Sequence, residues 1–516
     1  MKRILFITTF FLFTVGMEAQ KENKARLNFL DSLNYSIEMQ GGLSKGNTPL
    51  WLNSNKYGLS SLDEKNGYLR TSVERPLHTD IGKKWGIGYG VDLVVPYNYT
   101  SDIIIQQAYA QLRWFDGSIT VGSKQYPMEL KNNMLSSGSQ TLGINARPVP
   151  QVRLALQDYF TLPFGNGWLH FKGHIAYGKM TDDNWQHDFT SKQHKYADDV
   201  LYHSKAGYLK IGNEERFFPL SIELGLEMAA TFGGTAYARQ SDGTMVASKG
   251  GTSLKDYWHA FVPSGADINE NKYVNVEGDH LGSWLFRVNY DTDRWLFSFY
   301  GDKFFEDHSA MFQLDYDGYE TGDNWQAKKK HRFFLYDFKD MMLGMELKLK
   351  FAEWLQNIVF EYMYTKYQSG PIYHDHTPTI ADHVAGIDDY YNHSIYTGWQ
   401  HWGMVMGNPL YRSPIYNEDG TIEVKDNRFM AFHLGFSGSP VPNINYRVLA
   451  SYQEGLGTYN NPYNDVHHNF SCLVEVDYAF RHGWDVKGGY GMDLGKILGN
   501  NYGFQLTISK KGLFKK

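Results

Sequence analysis

Residues 386–416 read GIDDYYNHSIYTGWQHWGMVMGNPLYRSPIY. Tyr390, Tyr391, Trp399, Trp402 and Tyr411 are flat aromatic faces, and Arg412 adds a planar fork of donors. Asp388 and Asp389 stand just before them. This mixture suits a carbohydrate, whose C–H faces stack on rings while hydroxyls and acidic groups meet planar hydrogen-bonding partners. The competing reading for each ring is simple packing of the loop onto the mouth of its scaffold. The same region holds His374, His376, His383, His393 and His401. A His-x-His pair on a strand would set both imidazoles on one face. These, however, sit among Pro and Gly without a settled geometry, so no metal is expected. No G-x-S-x-G elbow is present, so no catalytic residue is assigned and the chain is read as a non-enzyme. The lone Cys472 excludes an internal disulfide and a thiolate cluster. No motif asks for a cofactor.

A long binding loop needs a rigid frame, and strict alternation supplies one. In NYGFQLTISKKGLF (501–514), Tyr502, Phe504, Leu506 and Ile508 form one row, and Gly503, Gln505, Thr507 and Ser509 the other. The pattern recurs along the chain. Trp85, Ile87, Tyr89, Val91, Leu93 and Val95 make one apolar row; Ile222, Leu224, Leu226 and Met228 make another; Ile358, Phe360, Tyr362 and Tyr364 a third. The opposite rows carry Asp92, Lys172, Glu223, Glu227, Arg287, Glu361, Glu475 and Asp477 in mid-strand. A soluble sandwich would turn the charges to solvent; a membrane barrel would turn them into a wet lumen. Three features favour the barrel. Many strands reach about 10 residues, beyond the usual globular length. Trp85, Trp168, Trp284, Tyr290, Trp295, Tyr364 and Phe480 gather at strand ends, as interfacial girdles do. Closure also removes the edges of a large sheet. Mean hydropathy is −0.47, as expected when apolar and polar rows average out.

The fold class is therefore all-β: a transmembrane antiparallel outer-membrane β-barrel. Tight turns at Asp116-Gly117 and Asp291-Thr292-Asp293 contrast with long polar, aromatic-rich segments at 180–202, 232–278 and 368–425, expected to be extracellular. MKRILFITTFFLFTVGMEAQ has a basic start, a short apolar run and a small residue near its end, so residues 1–19 read as a signal peptide. Residues 20–516 form one barrel domain with a short periplasmic segment over about 20–34, where Leu27, Leu30 and Leu33 have helical spacing. No linker or repeat divides them. The formal charge of −6 does not suggest a nucleic-acid partner. The expected surroundings are outer-membrane lipid, with the chain a monomer.

One stretch breaks the alternation: SSGSQTLGINARPVPQVRLAL, 136–156. Pro148 and Pro150 remove two backbone donors, making 145–150 extended and irregular. Asn145-Ala146-Arg147-Pro148-Val149-Pro150-Gln151 resembles a signature of the capsule assembly protein Wzi family of Gram-negative bacteria. TPLWLNSNKYGLSS at 48–61 and GNPL at 407–410, followed by Ser413-Pro414, resemble further family elements. The resemblance implies about 18 strands. It also implies a surface lectin that attaches capsular polysaccharide or exopolysaccharide without a chemical step. The family's founding members carry a periplasmic helical bundle, which looks reduced or absent here. Asn145, Arg147, Pro148 and Pro150 are read as a structural lumen motif, with the Arg147 guanidinium crossing to a carboxylate. Two rival functions stay open, a porin or substrate-specific transporter and an outer-membrane hydrolase, because a barrel carries no function by itself.

Overall fold

The computed structural model describes residues 32–240, 242–262, 278–306, 338–374, 378–379 and 384–514, with short pieces between 309 and 334. The signal-peptide assignment and most of the 20–34 segment lie outside the described residues. The described part of that segment is strand: Leu33 and Asn34 already pair with Phe514 and Leu513. Leu33 therefore belongs to the sheet and not to a helix.

Eighteen strands form one closed sheet. They are β1 Leu33–Lys45, β2 Lys65–Arg75, β3 Trp85–Tyr97, β4 Ile104–Trp114, β5 Gly117–Ser123 and β6 Gln151–Thr161. Next come β7 Leu169–Lys179, β8 Leu201–Ile211, β9 Leu220–Phe232, β10 Asp279–Asp291, β11 Trp295–Glu306 and β12 Met341–Leu349. The last six are β13 Asn357–Tyr364, β14 Phe429–Val441, β15 Ile444–Gly457, β16 Pro462–Ala479, β17 Trp484–Gly495 and β18 Asn501–Phe514. Each pairs antiparallel with its sequence neighbours, and β18 closes on β1, Met39 opposite Ile508. Gln151–Leu156, inside the stretch expected to be irregular, is the first half of β6. The prolines stop just short of it, where a missing N–H leaves no gap in the ladder.

Exposure settles which row faces where. On β18, Phe504 and Leu506 are 48% and 42% exposed, while Gln505 and Thr507 are 6% and 5% exposed. Val91, Leu93, Leu224, Phe360 and Val474 also lie bare on the outside, while Asp92, Glu227, Glu361 and Glu475 are buried inside. An apolar exterior around a polar interior is stable only in lipid. Among the described residues no helix is long and apolar enough to cross a membrane; the strands do so.

Both described chain ends lie at one mouth, together with turns of two (115–116) to nine (76–84) residues. By the outer-membrane pattern this is the periplasmic mouth. Aromatic side chains ring it: Tyr35 against Phe514 at 4.9 Å, Trp168 against Phe218 at 5.3 Å, Tyr290 against Trp295 at 5.6 Å. Trp85 and Phe480 belong to the same girdle, Tyr364 sits toward the other mouth, and Trp284 lies partway along β10. The opposite, extracellular mouth carries every long connection.

Three of those connections turn inward and fill the lumen: 46–64, 124–150 and 388–428. They share one buried cluster with the strands, in which Trp51, Leu135, Val149, Trp399, Tyr411 and Phe429 participate. The barrel's buried charges hold them. Glu361 accepts from Ser136 Oγ at 2.6 Å, Ser137 Oγ at 2.5 Å and Tyr300 Oη at 2.6 Å. Lys131 pairs with Asp302 at 2.8 Å, both side chains almost wholly buried. The lumen carboxylates are thus tethers for the inward loops, which offset the cost of burying them.

Candidate functional site

Asn145 lies where all three inward segments meet. Its Nδ2 donates to Val405 O at 3.0 Å, its Oδ1 accepts from Asn55 N at 3.1 Å, and its backbone O accepts from Gly58 N at 2.9 Å. Asn408 makes a second staple, with Nδ2 donating to Ser137 Oγ at 3.1 Å and Gly138 O at 3.0 Å. Between them Gly143 and Gly407 bring two backbones together, and Gly143 N donates to Met406 O at 3.0 Å. A Cβ on Gly407 would stand 2.4 Å from Gln140 O and one on Gly143 2.6 Å from Gly407 O, so neither position has room for a side chain. The motifs singled out in the sequence, 48–61, 145–151 and 407–414, form one plug.

The aromatic loop belongs to that plug as well. Tyr390, Tyr391, Trp399 and Tyr411 are each at most 1% exposed. Trp399 Nε1 donates to Thr141 O at 3.0 Å, Tyr391 Oη donates to Gln140 O, Tyr411 Oη to Gln140 Oε1 at 3.3 Å, and Tyr390 Oη to Asp340 at 3.0 Å. These four rings have no face open to a sugar. The expectation of an exposed aromatic loop is corrected here: the segment folds into the lumen, because its rings bury more surface there and each polar tip finds a partner. Trp402 keeps partial exposure, with the Arg147 guanidinium 4.0 Å from its ring centre. Arg412 is held by Asn417 Oδ1 at 2.5 Å and Tyr416 O at 2.6 Å.

Arg147 also departs from expectation. It donates to Ser101 Oγ at 2.9 Å and Thr100 Oγ1 at 2.8 Å, and among the described residues no carboxylate pairs with it. Stacking on Trp402 and hydroxyl contacts replace the expected ion pair. Pro148 O accepts from Ser123 Oγ at 3.1 Å, and Pro150 O from Lys179 N at 3.2 Å, so both prolines serve as acceptors at the plug's edge.

Of the five histidines weighed as ligands, His376 and His383 lie outside the described residues. His401 spends both ring nitrogens on neighbouring loops, Nδ1 at 2.8 Å from Arg147 O in the plug and Nε2 accepting from Thr181 N at 3.2 Å in the β7–β8 connection. Burial pushes it down to about 4. His393 accepts from two backbone amides, and burial takes it to about 3. Among the described residues no three His, Cys, Asp or Glu side chains could hold a metal ion together.

Partly exposed aromatic rings occur elsewhere on the extracellular rim. Tyr459 reaches Tyr367 O with its hydroxyl at 3.0 Å, and the Arg428 guanidinium covers its ring at 3.5 Å. Lys339 Nζ lies 4.3 Å over the Tyr367 ring, which is 40% exposed. Lys366 approaches Glu454 at 3.8 Å. Tyr463 stacks on His467 at 3.9 Å. The rim therefore pairs tyrosine faces with cations, the donor set sought in the aromatic loop. Its sequence signal is weak: GTYNNPYND at 457–465 is a short connection, and Tyr367 belongs to a different one.

No protein-family model matches the sequence, and no curated protein matches it. Similarity appears among solved structures. The barrel resembles Wzi of Escherichia coli, an outer-membrane protein involved in group 1 capsule assembly and described as a carbohydrate-binding β-barrel. The TM-score is 0.54 at 12% identity, covering 92% of this chain and 83% of that one. Pseudomonas aeruginosa OprD aligns over 97% of this chain and all of its own, with TM-score 0.45 and 9% identity. At these identities the likeness establishes the fold, an outer-membrane β-barrel. The apolar exterior and polar interior agree with that location.

Proposed function

We propose that this protein is a surface lectin of the outer membrane, which attaches capsular polysaccharide or exopolysaccharide without an enzymatic step. The observation that carries this reading is the plug. Three loops stapled through Asn145 and Asn408 make a packed, rigid extracellular face, suited to presenting a binding surface and poorly suited to passing solutes. The NARPVPQ signature supports the reading, as does the likeness to a carbohydrate-binding barrel. The contact surface proposed is the rim of Tyr367, Tyr459 and Tyr463 with Arg428, Lys339 and Lys366, whose charge suits an acidic polymer. Trp402 and Arg412 are secondary candidates, each with part of its surface committed to the plug.

The test is a Tyr367→Ala, Tyr459→Ala double variant. Neither ring closes the sheet, so the barrel is expected to fold. Each stacked ring contributes on the order of 0.5–1.5 kcal/mol, and repeated contacts along a polymer multiply the loss. Surface-held polysaccharide should fall, and free polysaccharide in the medium should rise. Wild-type retention by a folded, surface-displayed double variant would move the glycan site off this rim. Unchanged retention after deletion of the whole gene would end the lectin reading.

A further inference from the structure

Below the plug, on the periplasmic side, the lumen keeps a cavity against β6, β7 and β8. It comprises a wider part of about 230 Å³ and a deeper part of about 100 Å³. Lys124, Tyr126, Gln151, Arg153, His174 and Tyr208 line it. Arg153 is the unusual member. Its guanidinium lies 3.9 Å from the Tyr126 ring centre, yet it makes no hydrogen bond or ion pair among the described residues, and its Nε is buried without a partner. Gln151 Oε1 is likewise buried and unmatched. Lys124 Nζ donates to Gln111 Oε1 at 2.7 Å and has no carboxylate within ion-pair distance among the described residues. The nearby acids are engaged: Glu129 with Lys172 at 2.5 Å, Glu227 with Tyr208 Oη at 2.7 Å. The cavity therefore holds two cations that pair with no carboxylate among the described residues. Other cations of this lumen have carboxylate partners, as in the pairs Arg70–Asp92 at 2.6 Å and Arg287–Glu346 at 2.7 Å, while Arg147 is held by hydroxyls and Trp402 instead.

We infer that this cavity is a binding site for a carboxylate-bearing sugar, which enters from the periplasmic mouth and places its carboxylate between Arg153 and Lys124. A half-buried guanidinium without an anion is costly, and its fork of donors matches a carboxylate with two parallel bonds. Amides and phenols from Gln125, Gln151, Gln157, Tyr57 and Tyr208 share the lining with the engaged Glu129 and Glu227 and with apolar side chains, and their donors and acceptors suit a polyhydroxyl ring. Entry from below follows from Gln157, an exposed wall residue in the periplasmic half of β6, with the exposed Pro127 of the plug's own edge beside it. The inference does not depend on the rim: this site lies in the lumen and takes a monomer or a chain end.

The full-length protein in detergent micelles is titrated calorimetrically with glucuronate, glucose and inorganic phosphate. Glucuronate is expected to bind saturably, phosphate more weakly and glucose not at all. Arg153→Gln should weaken glucuronate about tenfold or more, the worth of a charged hydrogen-bond pair. Arg153→Lys should fall between, since it keeps the charge and loses the fork. Heat-modifiable mobility on gels reports folding; if Arg153→Gln does not fold, Lys124→Gln carries the same expectation. Absence of glucuronate binding, equal binding by the folded variants, or phosphate or glucose binding as tight as glucuronate each overturns the inference.

Discussion

Single residues here act mainly by joining loops distant in sequence. Asn145 is the clearest case: deleting its amide would orphan Val405 O and Asn55 N inside the plug. His401 adds a pH dependence. Its ring is neutral in the fold, with burial lowering it from 6.5 to about 4. The unfolded chain therefore binds a proton that the folded chain refuses. The associated stability is complete above the ordinary value and is lost as pH falls from 6.5 toward 4, to a total of about 3 kcal/mol. Asp426, pushed up by burial to about 7, works in the opposite sense but is common to wild type and variant. His401→Gln can still meet Arg147 O or Thr181 N. It is expected to cost about 1 kcal/mol near neutrality and to flatten the loss of stability between pH 6.5 and 4. Chemical unfolding across that range measures both slopes; parallel slopes would mean that His401 is not the titrating group.

At the scale of elements, the two rows of each strand live in different solvents. Leu224 on β9 is 46% exposed and faces lipid. Its neighbour Glu223 faces the lumen and accepts from Tyr159 Oη at 2.6 Å and Asn289 Nδ2 at 3.0 Å. Leu224→Arg should cost roughly 2–4 kcal/mol near the bilayer midplane. Glu223→Gln keeps the shape and one acceptor, and should cost about 0.5–1.5 kcal/mol. Refolding into lipid vesicles under urea, read by heat-modifiability, separates the two; equal damage would contradict the two-row assignment. The alternation was legible because a strand's period of two is a local property of its backbone. The start of β6 at Gln151 was less so, because Pro148 and Pro150 disturb the pattern up to the first paired residue.

For the whole molecule, the decisive feature is that the lumen is occupied. Planar-bilayer recordings of the wild type are expected to show no steady conductance, whereas Asn145→Ala with Asn408→Ala should loosen the plug and produce openings. A large steady conductance in the wild type would favour transport over attachment. The barrel class, the lipid-facing rows and the contrast of short turns with long loops all followed from sequence, since each rests on neighbours one or two positions apart or on segment length. What the loops do once they leave the strands did not. Tyr390, Tyr391, Trp399 and Tyr411 have the composition of a sugar platform and equally of a core. Only contact with Gln140, Thr141 and Asp340, remote in sequence or on other segments, puts them inside. In the same way Arg147 found hydroxyls and Trp402 instead of a carboxylate, and Arg153 pairs with no carboxylate among the described residues. Local periodicity sets the wall of this protein; burial and pairing across long sequence distances, which depend on closure of the sheet, set what fills it.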